Sequence, residues 1–424
     1  MLKSNIAWMK KNVPSDLKVW KGMIQDIDWS QVVAKTKLSL QRDKDRITAE
    51  FKEFAAMDTS AKIDWLMNGD RHLGYLYKKD AIAFARREWK GLKSVGYDFV
   101  GWLKIWGGML NMVMKDPVSI MLAVFEYHWF ASYLATPAVV DRSVFGRRGK
   151  LLQADFDMWV AITHWAEDLI ANLIMADAKI GGNQKINKRI IMFDEMTMAQ
   201  MMAGFPNLLG IPYQMIPVFM VSEMDQLTLI PYIDAIESYG LPSDTCPLPT
   251  AECGCAVKDE YPMCGQGFIA SSMPCDGSVM ATSFQDRRFS KFMPSYPLCM
   301  PVRYDDEDTT EMAAADMKDC IHWVEGLTGE TWNWDTYFAT MEKMNECTRL
   351  EMEKWEINKT HYPQLVGSSF ELFRKWNYEM DGGLFPEGLK TQRKICKTMM
   401  ETYEKKLPAY VGGYEKYRAL IWSC

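Results

Sequence analysis

Five of the ten cysteines fall between Cys246 and Cys275, and a sixth, Cys299, follows at the next apolar run. The stretch reads GLPSDTC, PLPTAECGC, AVKDEYPMCG, QGFIASSMPCDGS and PLCMPVRYDDED, beginning at Gly240. Sulfur this dense, behind an N-terminus without a secretory pattern, argues for metal or an iron–sulfur cluster before disulfides. Three chemistries stay open on spacing alone. Cys246 and Cys275, on two separated loops, could hold a [4Fe–4S] cluster against a substrate pocket. Cys253, Cys255, Cys264 and Cys275 supply four sulfurs for structural zinc, although C-x-C with long gaps departs from paired C-x-x-C spacing. The third reading is the ordinary fate of a free cysteine, a small buried hydrophobe. No P-loop, no G-x-G-x-x-G after a strand and no G-x-S-x-G occurs, so nucleotide and serine-nucleophile chemistry is unsupported.

The elements that must position these cysteines begin at Lys188. Arg189–Phe193 is a short apolar run, followed by a helix-like stretch with acidic residues at its start and by Gly204. A second apolar run covers Ile211–Val221, and a helix with Ser222 as N-cap ends at Gly240. GFIASS (Gly267–Ser272) and PLCMPVRY (Pro297–Tyr304) read as further buried strands. Short strands alternating with helices predict a parallel sheet, with ligands beyond the carboxyl ends of its strands. The fold class expected is therefore α/β, a parallel doubly wound sheet domain preceded and followed by large helical regions.

Residues 1–185 read as helix after helix, with starts at Pro14-Ser15-Asp16, Asp58-Thr59-Ser60 and Asp116-Pro117. Asp80–Lys93 sets apolar positions at helical spacing, and a long amphipathic helix is expected from about Leu151 to Met175. Pro117–Val140 has spanning length but carries Glu126 and His128 in its middle, so it reads as a buried helix and not a membrane span. His72, His128 and His164 on these helices read as core or surface residues. After Asp308, an Asp308/Glu311 pair at capping-box spacing opens a helix that buries Ala313, Met317, Cys320, Val324 and Leu327 and stops at Gly329. Two longer helices carry Cys347 and Cys396. The expected domains are 1–185 helical, 186–305 α/β and cluster-binding, 306–415 a helical connection, and 416–424 the first strand of a further α/β domain.

The bulk numbers bound the rest. A chain of 424 residues with 48% hydrophobic and 25% charged residues is ordinary for a globular protein of two or three domains. A net charge of −6 gives no basic footprint for nucleic acid. The expected location is the cytoplasm.

The run GLPSDTCPLPTAECG, DEYP, GFIASSMPCDGS, PLCMPVRYDDED and the helix ending WVEGLTG resembles the 2-hydroxyacyl-CoA dehydratase and benzoyl-CoA reductase family. Trp334–Leu350 is similar to the family's next helix, where a residue such as Asn345 recurs, and EKYRALIWSC resembles the strand that opens its second α/β domain. The resemblance covers residues 186–424, and the order of the motifs is its most specific feature. It implies an iron–sulfur subunit of an acyl-CoA dehydratase or reductase, with 2-hydroxyacyl-CoA dehydration first, working by low-potential one-electron chemistry on a CoA thioester. It also implies a related cluster-bearing subunit as heterodimer partner and an ATP-dependent iron–sulfur activator protein. Carried over, Cys246 and Cys275 match two ligands of the [4Fe–4S] cluster, with Asp276 and Ser278 shaping the second motif. Glu195 falls where the family has an acidic residue near its active site, a position that a helix-terminal carboxylate would also occupy. The family's third ligand lies in its second α/β domain, so a truncated or split chain is expected. The alternative is a non-catalytic or zinc-stabilised binding or assembly protein that retains the α/β half-fold.

Overall fold

A computed structural model describes residues 29–68, 92–134, 136, 150–180, 189–194, 199–224, 226–242, 244–271, 276–289, 293–299, 301, 306–364 and 376–406. The chain divides into two compact units, residues 1–103 with 141–149 and residues 104–140 with 150–424. In the first, α1 (Trp29–Ala56) and α2 (Thr59–Asn68) meet at Asp58. The Asp58 carboxylate accepts the Ala61 amide at 2.8 Å, the capping role its position predicts. The start at Pro14 and His72 lie outside the described residues, as does most of the segment 80–93.

The second unit opens with the C-terminal part of α3 (Leu92–Lys115), then α4 (Pro117–Glu126), α5 (Phe130–Leu134) and α6 (Lys150–Ala176). Asp116 caps α4 as expected: its side chain accepts the Ser119 amide at 3.2 Å and the Ser119 hydroxyl at 2.7 Å, with Pro117 in the first turn. The single buried helix expected across 117–140 is instead broken. Tyr127 turns to extended backbone (φ −121°, ψ 117°). The reason is tertiary: the His128 amide donates to Glu260 Oε2 at 2.8 Å and the Trp129 amide to the Tyr232 hydroxyl at 3.2 Å. Partners more than a hundred residues away outweigh local helical propensity. Among the described residues no single helix is long and apolar enough to cross a membrane.

Four parallel strands form the sheet among the described residues, in the order β2-β1-β3-β4. They are β1 (Arg189–Phe193), β2 (Leu208–Pro212), β3 (Gly267–Ser271) and β4 (Ser295–Leu298). β1 matches its expected span, and β3 ends one residue short of the expected Ser272. The other two are displaced from the apolar runs: β2 precedes most of Ile211–Val221, and β4 ends where PLCMPVRY was expected to begin extending. Pro297 stands within β4, and a proline is tolerated there because β4 lies at the sheet's edge. Alternation sends Ile191, Phe193 and Ile269 to one face, where they pack with Cys320 and Val324 of α11 (Glu307–Thr328). The sheet with its extensive helical flanks is the α/β architecture expected.

Between β2 and β3 the expected long helix is divided into α7 (Met220–Met224), a 3₁₀ turn (Gln226–Leu229) and α8 (Ile230–Glu237). Pro231 stands in the first turn of α8, a position where its missing N–H costs nothing. Gly240 (φ +98°) is in the turn that stops it, as the sequence indicates. α9 (Pro247–Val257) and α10 (Asp276–Phe289) flank β3. α11 is capped by Asp306, whose carboxylate accepts the Thr309 amide at 2.6 Å, two residues before the expected Asp308. It stops at Gly329 in left-handed backbone (φ +70°). Cys320 is buried on α11 as expected of a core thiol, and α12 (Trp334–Asn358) and α13 (Pro386–Glu404) bury Cys347 and Cys396 as well.

Candidate functional site

The strand order reverses between β1 and β3: the chain leaves β1 for β2 on one side, and β3 lies on the other. In doubly wound sheets the crevice beyond the carboxyl ends at such a point is where ligands bind. Two backbone bonds fix these ends. The amide of the buried Asp194 donates to Ile269 O at 3.1 Å, and the Tyr213 amide to Phe193 O at 2.9 Å. The loops that follow β1 and β3 therefore start side by side. Glu195 stands in the first and Cys275 in the second, and both residues lie outside the described ones.

Cys246 is exposed and immediately precedes α9, with Pro247 in the helix's first turn. Its carbonyl accepts the Thr250 amide at 3.3 Å and the Thr250 hydroxyl at 2.8 Å. One turn further on, the C-G-C motif is a helix-crossing device. A Cβ on Gly254 would sit 1.9 Å from the Tyr232 carbonyl oxygen of α8, so only glycine lets the two backbones approach. Cys253 and Cys255 on either side are fully buried. Burial, and then the charge of Glu252, push the Cys253 thiol up to about 12. Cys264 packs with its sulfur 3.9 Å from Met192 Sδ, its thiol raised well above the ordinary range by burial. A thiol held protonated is a poor metal ligand, since the thiolate is the ligating form.

Among the described residues no group of three or more His, Cys, Asp or Glu side chains could hold a metal ion. The expected [4Fe–4S] cofactor, and with it the reading as an iron–sulfur, metal-binding subunit, is overturned by that finding. Cys253, Cys255 and Cys264 of the zinc alternative likewise form no metal-holding group among the described residues, and Cys275 lies outside them.

What the sequence reasoning missed is a set of buried acids. Asp177, fully buried after α6, accepts the Met263 amide at 2.7 Å, the Lys179 amide at 3.0 Å and the Tyr127 hydroxyl. Burial raises its carboxyl, and these hydrogen bonds act in the opposite direction. Glu260, 5% exposed, accepts the Tyr232 hydroxyl at 2.6 Å and the His128 amide at 2.8 Å, while its carbonyl takes the Trp129 indole at 2.9 Å. Glu167 on α6 is also buried, and neither carboxyl oxygen has a hydrogen-bond partner. Desolvation pushes it up to about 8. Asp381 accepts the Phe385 amide at 2.8 Å and the Trp165 indole, yet burial pushes its carboxyl up to about 7. A signal was present for Glu167, an acid within the apolar run AITHWAEDLIANLIMA; Asp381, in YEMDGG, reads only as a turn residue.

A parallel sheet with its order reversed between β1 and β3 defines an α/β protein with a topological switch point between these strands. Residues 226–424 match the family model described as 2-hydroxyglutaryl-CoA dehydratase, D-component. The C-terminal part of the chain is thus similar to the family that the ordered motifs resemble. β1 and β2 precede the matched stretch. No curated protein matches the chain.

Proposed function

We propose that the second unit acts as a CoA-dehydratase-type catalytic domain that takes an acyl-CoA thioester at the switch point between β1 and β3. The observation that carries this reading is the family match over residues 226–424, which holds β3 and the loop after it. The strand order supports the location, because it reverses between the ends at Asp194 and Ser271, where doubly wound sheets bind ligands. Within it, Glu195 is the proposed group for proton exchange with the bound acyl chain, and the loops carrying Cys246 and Cys275 shape the site. A 2-hydroxyacyl-CoA is the proposed substrate. The related subunit and the ATP-hydrolysing activator implied by the resemblance are proposed partners. The cytoplasm is the proposed location, in keeping with eight cysteines outside disulfides among the described residues.

Calorimetric titration of the full chain with a 2-hydroxyacyl-CoA, with free CoA and with the free hydroxy acid tests the assignment. The thioester binds tightest, and Glu195→Gln lowers turnover in the assembled enzyme by roughly a hundredfold or more while leaving thioester binding nearly unchanged. Absence of binding by any CoA species, alone or with the related subunit present, overturns it.

A further inference from the structure

A cavity of about 190 Å³ lies against β2, on the side of the sheet order away from β3. Its wall combines three aromatic side chains, Trp165, Phe193 and Phe385, with the carboxylates of Asp168 and Asp381 and the amide of Asn172. We propose that this cavity is a binding site for a small organic cation of the alkylammonium class, separate from the thioester site and independent of it.

The size comes first. An apolar protein cavity of about 150 Å³ holds benzene, so this one accommodates a molecule of about that size or slightly larger. Aromatic walls give it a quadrupolar surface that attracts a cation whose charge is spread over methyl or methylene groups. The polar groups then distinguish cation from neutral. Asp168 already has its counter-charge in Lys115, and it accepts Asn172 Nδ2 at 3.5 Å. Asp381 differs: it is 6% exposed, and its contacts among the described residues are dipoles, from the Phe385, Leu384 and Gly383 backbone and from the Trp165 indole, with no basic side chain among these described contacts. A carboxylate buried without a cation is costly. A bound ammonium supplies the missing charge, and the Trp165 indole links that carboxylate to the aromatic wall. The rings are themselves held by Trp376, whose centroid lies 6.1 Å from that of Trp165 and 5.8 Å from that of Phe385 in edge-on contact, so the wall is preformed.

The test uses the full chain, with choline as the probe and dimethylbutanol, its neutral analogue with carbon in place of the quaternary nitrogen, as the control. Choline binds saturably with one site per chain, and the neutral analogue binds at least about tenfold more weakly. Asp381→Asn weakens choline by about tenfold and leaves the neutral analogue unchanged. Equal binding of the two probes, failure of choline to saturate at millimolar concentration, or an unaltered choline affinity in a folded Asp381→Asn overturns the proposal. Should that variant fail to fold, the comparison of the two probes on the unaltered protein decides alone. Thioester binding is measured in the same preparations, and its presence or absence bears only on the switch-point assignment.

Discussion

Two groups of buried acids in the second unit solve the same problem in opposite ways. Asp177 and Glu260, beside the loop that leads into β3, gather donors: three for Asp177 and two for the Glu260 carboxylate, among them the backbone amides of Lys179, Met263 and His128. Glu167 and Asp381 lie elsewhere, Glu167 with no partner and Asp381 with dipoles alone. The first group joins distant segments of chain. In the second group desolvation raises the carboxyls, Glu167 to about 8 and Asp381 to about 7. Burial alone therefore does not say what an acid is for; its donors do.

The sharpest way to break this contrast is Asp177→Ala, which strands the Tyr127 hydroxyl and two amides. It should lower unfolding free energy by about 3–5 kcal/mol in denaturant titration. Glu167→Gln should do the reverse. The carboxyl's folded value of about 8 lies above the reference 4.5. As pH rises through that window the unfolded chain gives up its proton first, so stability falls from about 4.5 to about 8 and stays low above it. The glutamine variant loses this slope, gaining about 4 kcal/mol at pH 8 and little at pH 4.5. Asp381→Asn should remove a similar slope over a narrower window, between 3.8 and about 7, read from the same pH series. Tyr232→Phe removes one donor to Glu260 and one acceptor for Trp129, and should cost about 1–2 kcal/mol. Smallest in energy is a labelling prediction. In the native state a maleimide should modify Cys246 and Cys299 rapidly, whereas Cys253, Cys255, Cys264, Cys320, Cys347 and Cys396 react only on unfolding, as counted by mass spectrometry.

Local rules made parts of this fold legible. Arg189–Phe193 announced a strand by an unbroken apolar run, Asp116-Pro117 and Asp58 announced caps, and Gly329 announced a stop because only a left-handed residue closes that helix cheaply. The failures share a cause. The break at Tyr127–Trp129 depends on Glu260 and Tyr232, and the division of the segment after Val221 depends on how α8 must cross α9. Neither partner is visible in a local window. The cysteines show the same limit. Cys-Gly-Cys has the composition of a ligand motif, yet its glycine is chosen by the Tyr232 carbonyl and its sulfurs by the space beside it. The strand order, with its reversal between β1 and β3, depends on pairing between distant stretches, whereas a parallel sheet as such followed from the alternating pattern. The cavity beside β2 did not, because α6, β2 and the turn at Asp381 contribute to it from three distant stretches.

The bonds from His128 and Trp129 to Glu260 and Tyr232 also bear on where this protein could be cut. A fragment spanning residues 226–424 would contain every matched position and still leave the Glu260 and Tyr232 oxygens without these donors. It would lack β1 as well, and so bare the flank of β3 as an unpaired apolar edge inviting self-association. The boundary of the family match at residue 226 is thus not a boundary of folding. Fragments intended to stand alone should reach back at least to Lys104, where the second unit begins.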